Sequence, residues 1–158
     1  MDLSSLMAKF NLSNANIRLS YHVALSIDVI HGGKTIGRSV VDEGDSTCFM
    51  SLSCWKALGS PDLVPSNTLL TAFDGSSFHP HGILPAFKIK LARKVVSFEV
   101  DLIDAPLDYN LLLGRSWTYA MSAIASAILR VVVFPHEGKL VTVDQLSFNW
   151  KGHSISHP

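Results

Sequence analysis

The sequence predicts a mostly β fold, a small closed β-barrel that carries one or two short helices. Short stretches of alternating apolar and polar residues recur along the chain, and turn residues separate them at close spacing. Only two segments have the composition and length of helices. Of the 158 residues, 47% are hydrophobic and 16% charged, which suits one domain with a substantial core. Many short strands with few helices favour a sheet that closes on itself.

The charge balance and the apolar pattern exclude several function classes. The chain has 13 basic and 13 acidic residues and no run of like charge, so it lacks the basic surface of a direct nucleic-acid binder. The N-terminus lacks the pattern of a signal peptide, and no apolar window approaches the roughly 18 residues of a membrane span. We therefore expect a soluble, intracellular protein with neither a nucleic-acid partner nor a membrane partner.

The folded region is predicted to begin near residue 20 with a β-hairpin. Residues 1–19 are rich in Ser and Asn and read as a linker or disordered N-terminal segment, whereas residues 20–146 form the predicted domain. Two strands, at residues 21–30 and 35–42, flank the turn at residues 31–34 (HGGK).

A short helix and a second hairpin come next. Residues 50–59 have a Ser that can cap the first turn and Gly59 at the other end, which predicts about two helical turns. Strands at residues 68–73 and 78–91 flank Asp74-Gly75-Ser76-Ser77, a tight-turn sequence.

The second half repeats the pattern of strand, glycine turn and helix. A half-buried strand at residues 95–103 precedes a loop that contains Pro106, and a buried strand then leads into Gly114. The remaining predicted elements are a strand at 109–113, a helix at 115–123, a hairpin of strands 128–134 and 139–143 around the turn 135–138, and a C-terminal tail at 147–158.

One carboxylate stands out because it follows an apolar run and precedes a glycine turn. Asp42 ends the run Ser39-Val40-Val41, and Gly44 follows it two residues later. Such an arrangement holds a carboxylate rigidly at the floor of a catalytic site. Taken alone, the stretch from Asp42 to Asp45 is also typical of an acidic surface turn between strands.

Other reactive side chains give weaker signals. Cys48 and Cys54 are too few for a disulfide scaffold and have the wrong spacing for a zinc pair, so we interpret them as reduced thiols. His79 and His81 share a strand face but lack a third ligand, so no metal site is predicted. Ser46 is not in a Gly-x-Ser-x-Gly sequence, which argues against a serine hydrolase.

These segments, in this order, resemble the retropepsin-like aspartic proteases, specifically the protease segment of plant Ty3/gypsy-type retrotransposon polyproteins. The resemblance covers roughly residues 20–145. Besides Asp42-x-Gly44, its more distinctive stretches are residues 72–75 (AFDG), 106–117 (PLDYNLLLGRSW) and 134–139 (FPHEGK).

The resemblance implies an acid-protease barrel and an aspartic-type endopeptidase that cleaves an extended polypeptide. Each protomer would supply Asp42, and the two Asp42 carboxyls of a homodimer would share one proton. One carboxyl would take a proton from the attacking water, and the other would donate to the developing oxyanion. Neither cofactor nor metal is implied.

The resemblance also assigns supporting roles. A loop that supports the catalytic residue would consist of Glu43, Gly44, Asp45 and Ser46. A flap over the peptide would consist of Phe73, Asp74, Gly75 and Ser76. The structural motif of the family would be Leu113, Gly114 and Arg115. For Arg115 we expect an ion pair near the loop, with Asp108 or Asp104.

Two loop positions depart from the family pattern. Family members usually have Thr or Ser where this chain has Glu43, and Ala or Ser where it has Asp45. Both changes add negative charge beside the predicted Asp pair, where like charges repel. The alternative hypotheses are therefore a catalytically degenerate domain that dimerises or binds peptides, and a small β-barrel binding module unrelated to peptidases.

Overall fold

The computed structural model describes residues 23–71, 75–105 and 107–146. The predicted linker at 1–19 and the predicted tail at 147–158 lie outside these residues. The strands are β1 (Ser26–His31), β2 (Lys34–Val41), β3 (Cys48–Ser51), β4 (Leu70–Thr71), β5 (Ser77–Phe78), β6 (Gly82–Leu91), β7 (Lys94–Ile103), β8 (Leu111–Leu113), β9 (Ile124–Ser126), β10 (Val131–His136) and β11 (Lys139–Asp144). The helices of this part of the chain are α1 (Leu52–Ala57) and α2 (Arg115–Met121).

The strands of the first two thirds form the predicted closed barrel. Its strand order is β1-β2-β8-β3-β7-β6, and the pair Ile30 and Lys90 closes the sheet between β1 and β6. Register shifts between Ile27 and Val29 and between Leu84 and Phe87 interrupt two of these strands. Such irregularities increase the local bend and twist, which a sheet of few strands needs in order to close.

A single apolar core fills the barrel and continues beneath the C-terminal elements. Inward-facing residues alternate along the strands, as in β7, where Phe98, Val100 and Leu102 are buried. Trp117 of α2 is fully buried in the same cluster, as expected for a tryptophan that fills the core.

The C-terminal sheet has the order β11-β10-β9 and packs against this core. Val131, Val132, Val133 and Phe134 of β10 are all buried, so both faces of the central strand are covered. The strand β9 was not predicted, because its three residues show no alternating pattern. The turn predicted at residues 135–138 is shorter in the structure, because the chain turns at Glu137-Gly138 and β10 continues through Pro135. Proline, which has no N–H to donate, is tolerated there because β9 pairs with β10 only as far as Val133 and leaves the rest of that side of β10 as a sheet edge.

The first helix starts two residues later than the sequence pattern indicates. Met50 and Ser51 belong to β3, which pairs with β7 on one side and β8 on the other. Ser51 then caps α1, since its Oγ accepts a hydrogen bond from the backbone N–H of Cys54 at 3.2 Å. Pairing with two neighbouring strands outweighs the local helical preference here.

The second predicted hairpin is shorter than expected. Among the described residues of this hairpin, Leu70 pairs with Phe78 and Thr71 with Ser77, and the chain then leaves the sheet at His79-Pro80-His81 before β6 begins. Proline has no N–H for a ladder, which accounts for the break. Neither α1, with 6 residues, nor α2, with 7, nor any other described helix is long and apolar enough to cross a membrane.

Candidate functional site

The two glycine turns that the sequence singled out meet at one edge of the barrel. The strand β8 runs between β2 and β3, parallel to β2 and antiparallel to β3. Val41 is paired with Leu113, so Asp42 and Gly114 leave neighbouring strands side by side. The backbone N–H of Asp42 donates to the carbonyl of Leu113, which is fully buried, at 3.0 Å.

The Asp42 carboxylate is exposed but held in one orientation. Its Oδ1 accepts a hydrogen bond from the backbone N–H of Gly44 at 2.9 Å, and its carbonyl accepts from the N–H of Asp45 at 3.3 Å. A Cβ at Gly44 would come within 3.0 Å of that Oδ1, so a larger residue would crowd the carboxylate. The side chain is therefore oriented by its own turn and open to a second group.

Gly114 allows the loop at residues 42–47 to lie directly on the start of α2. A Cβ on this glycine would stand 2.3 Å from the carbonyl oxygen of Thr47 and 2.7 Å from that of Asp45. Its φ of −84° is available to any residue, so close approach, not backbone conformation, requires the glycine.

The same loop caps α2, which has no side-chain N-cap of its own. The backbone N–H of Arg115 donates to the carbonyl of Asp45 at 2.8 Å, and the N–H of Ser116 donates to the carbonyl of Ser46 at 3.3 Å. The first N–H groups of a helix need such partners. The position of the loop is consequently tied to the helix.

Arg115 contacts the loop instead of making the ion pair expected with Asp108 or Asp104. Its Nη1 donates to the backbone carbonyl of Glu43 at 3.2 Å, and its charge acts on Asp45. The expected partner was therefore wrong: Arg115 binds the loop between β2 and β3, because the start of α2 faces that loop.

The acidic residues of the loop influence one another. Burial, followed by the nearby Asp42 carboxylate, raises the pKa of Asp45 above its ordinary value, and the Arg115 guanidinium acts in the opposite direction. Glu43 and Ser46 are exposed beside them. The loop thus presents three carboxyl groups, and the pKa of Asp45 is raised.

Tyr109 is a neighbour of this site to which the sequence pattern assigns no functional role. Its phenol is half-buried, and burial together with the charges of Asp45 and Asp42 raises its pKa. The residue precedes β8 and was treated only as a strand position. An aromatic residue so close to a glycine-terminated strand was the available signal.

The predicted flap is described in part. Phe73 and Asp74 lie outside the described residues. Gly75 has a φ of +85°, as a tight turn requires, and Ser76 is exposed after it. The pairing of β4 with β5 closes the base of this hairpin.

The remaining reactive side chains of the described residues lie apart from one another. Cys48 and Cys54 are free and buried, and burial raises the pKa of both thiols. His79 Nδ1 lies 2.9 Å from the carbonyl of Thr68, and the His81 ring lies beside Trp55. Across residues 23–71, 75–105 and 107–146, no group of three or more His, Cys, Asp or Glu could hold a metal ion.

Solved structures with the same architecture are retropepsin-like domains. The retroviral protease-like domain of Ddi1 from Leishmania major aligns with a TM-score of 0.58 and 13% identity, covering 78% of this chain and 98% of that domain. A retropepsin-like aspartic protease from Rickettsia conorii aligns with a TM-score of 0.52 and 18% identity, covering 64% of this chain and 75% of the other. The sequence matches no family model and no curated protein. The chain therefore has the fold of a retropepsin-like aspartic protease domain.

Proposed function

We propose that this chain is an aspartic-type endopeptidase of the retropepsin-like kind, acting through Asp42 on peptide bonds in a retroelement polyprotein. The observation that carries the proposal is the Asp42 carboxylate, exposed at the paired ends of β2 and β8 and oriented by the Gly44 N–H at 2.9 Å. The retropepsin-like fold supports it.

The proposed mechanism needs two copies of the chain. One protomer has a single Asp42, whereas water activation requires one carboxylate as base and one carboxylic acid as donor. In a homodimer with two-fold symmetry the same residue can fill both roles. Two carboxyls about 3 Å apart share a proton, because ionising both is costly.

The proposed substrate is an extended polypeptide bound between the two catalytic loops and the hairpins that contain residues 73–76. Such a flap would exclude water from the cleft once the peptide is bound.

A catalytically degenerate domain that dimerises or binds peptides is the second candidate. The observation that favours it is the acidic loop, in which Glu43 and Asp45 follow Asp42 and the Asp42 carboxylate acts on Asp45 as a like charge. Repulsion across the two-fold axis would oppose dimerisation near neutral pH, where carboxyls are ionised.

A cleavage assay distinguishes the two candidates. We expect the full chain to cut unstructured peptides at about pH 4 to 6, where one carboxyl of the pair is protonated. Asp42→Ala and Asp42→Asn should each reduce kcat/KM by at least about 1,000-fold. Asp104→Asn, which changes an exposed carboxylate of another loop, is the matched control.

Two results would contradict the enzyme proposal. One is cleavage that persists in the Asp42 variants, and the other is a dimer that binds peptides without cutting any of them. Sedimentation at micromolar concentration supplies the complementary measurement, because a strict monomer holds only half of the proposed site.

A further inference from the structure

The thiol of Cys48 lies directly behind the loop that carries Asp42. Cys48 is the first residue of β3 and is fully buried. Its Sγ accepts a hydrogen bond from the backbone N–H of Gly114 at 3.2 Å and lies 3.1 Å from Ser116 Oγ. Neither contact is one of the backbone hydrogen bonds that pair the strands of the barrel, so both depend on the Cys48 side chain.

These contacts complete a row of three hydrogen bonds that joins the start of α2 to the loop and to the first residue of β3. Three consecutive backbone N–H groups, those of Gly114, Arg115 and Ser116, donate to Cys48 Sγ, the Asp45 carbonyl and the Ser46 carbonyl. Because α2 lacks a side-chain cap, these partners replace it. Two of the three are backbone atoms, so Cys48 is the member of the row that a substitution can remove.

The connection from this row to Asp42 is short. The Asp45 carbonyl belongs to the row, and the N–H of the same residue donates to the Asp42 carbonyl at 3.3 Å. The Gly44 N–H within that turn orients Asp42 Oδ1. A shift of the row would therefore displace the turn that holds the carboxylate.

We propose that Cys48 is a positioning residue for Asp42, acting through Gly114 and Ser116 to fix the loop against α2. The inference rests on the proposed function for its kinetic consequence. Burial raises the pKa of the thiol, so it keeps its proton at neutral pH and can donate to Ser116 Oγ or, at 4.0 Å, to the Gly114 carbonyl while accepting from the Gly114 N–H. A methyl group in its place would leave the Gly114 N–H buried and without that partner.

The test compares Cys48→Ala with Cys48→Ser and with Cys54→Ala in the full chain. Cys54 is the other buried thiol and lies on α1, so it controls for the loss of a buried sulfur. The measurements are kcat and KM on a cleaved peptide, the thermal unfolding midpoint, and the pH titration of the Gly44 amide shift by NMR, which reports ionisation of Asp42.

We expect Cys48→Ala to lower kcat about tenfold with KM within about twofold, and to shift the Gly44 titration midpoint. Cys48→Ser should have a kcat and a Gly44 titration midpoint close to those of the unaltered chain, since a hydroxyl also accepts from the Gly114 N–H. Cys54→Ala should lower the unfolding midpoint and leave kcat and the titration unchanged. Equal losses of stability in the two alanine variants, with kcat and the Gly44 titration unaltered in both, would overturn the proposal.

Two further outcomes are decided by the same measurements. If the unmodified chain cleaves nothing, the proposed function is wrong, and the Gly44 titration alone decides whether Cys48 positions Asp42. If Cys48→Ala does not fold, Ser116→Ala replaces it, because Ser116 is exposed and its loss removes only the hydroxyl. A Gly44 titration that is unchanged in Ser116→Ala would overturn the proposal, and a shift in it would support it.

Discussion

The Asp42 carboxylate owes its orientation to two glycines, one in its own turn and one directly after the neighbouring strand β8. Gly44 leaves room for Oδ1 and supplies the N–H that binds it at 2.9 Å. Gly114 leaves room for the carbonyls of Asp45 and Thr47. Neither interaction depends on a charged partner, so the site is ordered by packing and backbone hydrogen bonds.

Gly114→Ala is expected to lower the free energy of unfolding by about 3 kcal/mol, because the new methyl group would overlap backbone atoms that cannot move independently. Urea denaturation measures the change. Gly37→Ala is the matched control, since its Cβ would meet only Asp28 Oδ1 at 3.5 Å, and it should stay within about 0.5 kcal/mol. Equal effects of the two substitutions would contradict the packing argument.

Removing the extra acidic groups is expected to strengthen dimerisation. Glu43→Thr combined with Asp45→Ala takes away two carboxylates beside Asp42 on each protomer, so repulsion across the axis falls. We expect the dimer Kd at pH 7 and low salt to fall by about tenfold, with a smaller change at 0.5 M salt because exposed charges are screened. Sedimentation equilibrium measures the dimer Kd. A Kd at low salt that is the same in the double variant and the unaltered chain would show that repulsion between the loop carboxylates does not weaken the dimer.

At the scale of elements, the start of α2 and the loop between β2 and β3 form one unit. The loop caps the helix, and the helix fixes the loop. The other end of α2 is held by Lys94 at the start of β7, whose Nζ donates to the carbonyls of Met121 and, at 2.8 Å, Pro135. One ammonium therefore joins the barrel, the helix and the C-terminal sheet.

Lys94→Met is expected to cost about 1 to 2 kcal/mol of unfolding free energy, because two backbone carbonyls lose a charged donor. Methionine keeps an unbranched apolar side chain of similar length, and the substitution also removes the cation–π contact of the Lys94 Nζ with the Phe134 ring, whose centroid lies 5.7 Å away. Lys90→Met, an exposed lysine on β6, should change the stability by less than about 0.5 kcal/mol. Chemical denaturation distinguishes them, and indistinguishable midpoints would contradict the assigned role.

At the scale of the whole molecule, the barrel and the C-terminal sheet share one core. Val132 and Phe134 of β10 belong to the same buried cluster as the barrel residues. Arg130 and Gln145, both buried, reach back to the carbonyls of Val23 and Ala24 before β1. We therefore expect the described domain to unfold as one cooperative unit.

The stability of this unit should fall as the pH rises from about 4 through the raised pKa values of three carboxyls. Burial raises the pKa of Asp28, Asp45 and Asp101 above the ordinary value of 3.8. Within that window the folded chain binds more protons than the unfolded chain, so the free energy of unfolding decreases with pH. The stabilisation is complete below the ordinary value and is lost as the pH passes through the raised values.

Urea denaturation at pH 5 and pH 7 tests this dependence. The urea concentration at the unfolding midpoint should be higher at pH 5 than at pH 7. Asp101→Asn removes a carboxyl that is only 3% exposed and should reduce this difference between the two midpoints. Asp104→Asn changes an exposed carboxyl and should leave the difference as it is. A midpoint that is higher at pH 7 in the unaltered chain would show that other groups dominate.

The sequence by itself determined the fold class, most strand positions and the two glycine turns, because alternating burial and turn chemistry are local properties. Only the tertiary structure decided that residues 50 and 51 belong to β3 and not to α1, that Arg115 contacts the loop, that Tyr109 lies near the loop carboxylates and that Cys48 contacts Gly114. These features depend on pairings between distant segments, such as Val41 with Leu113, which no local pattern encodes. The Asp42 motif was visible in the chain, whereas the groups that orient it were brought together only by closure of the barrel.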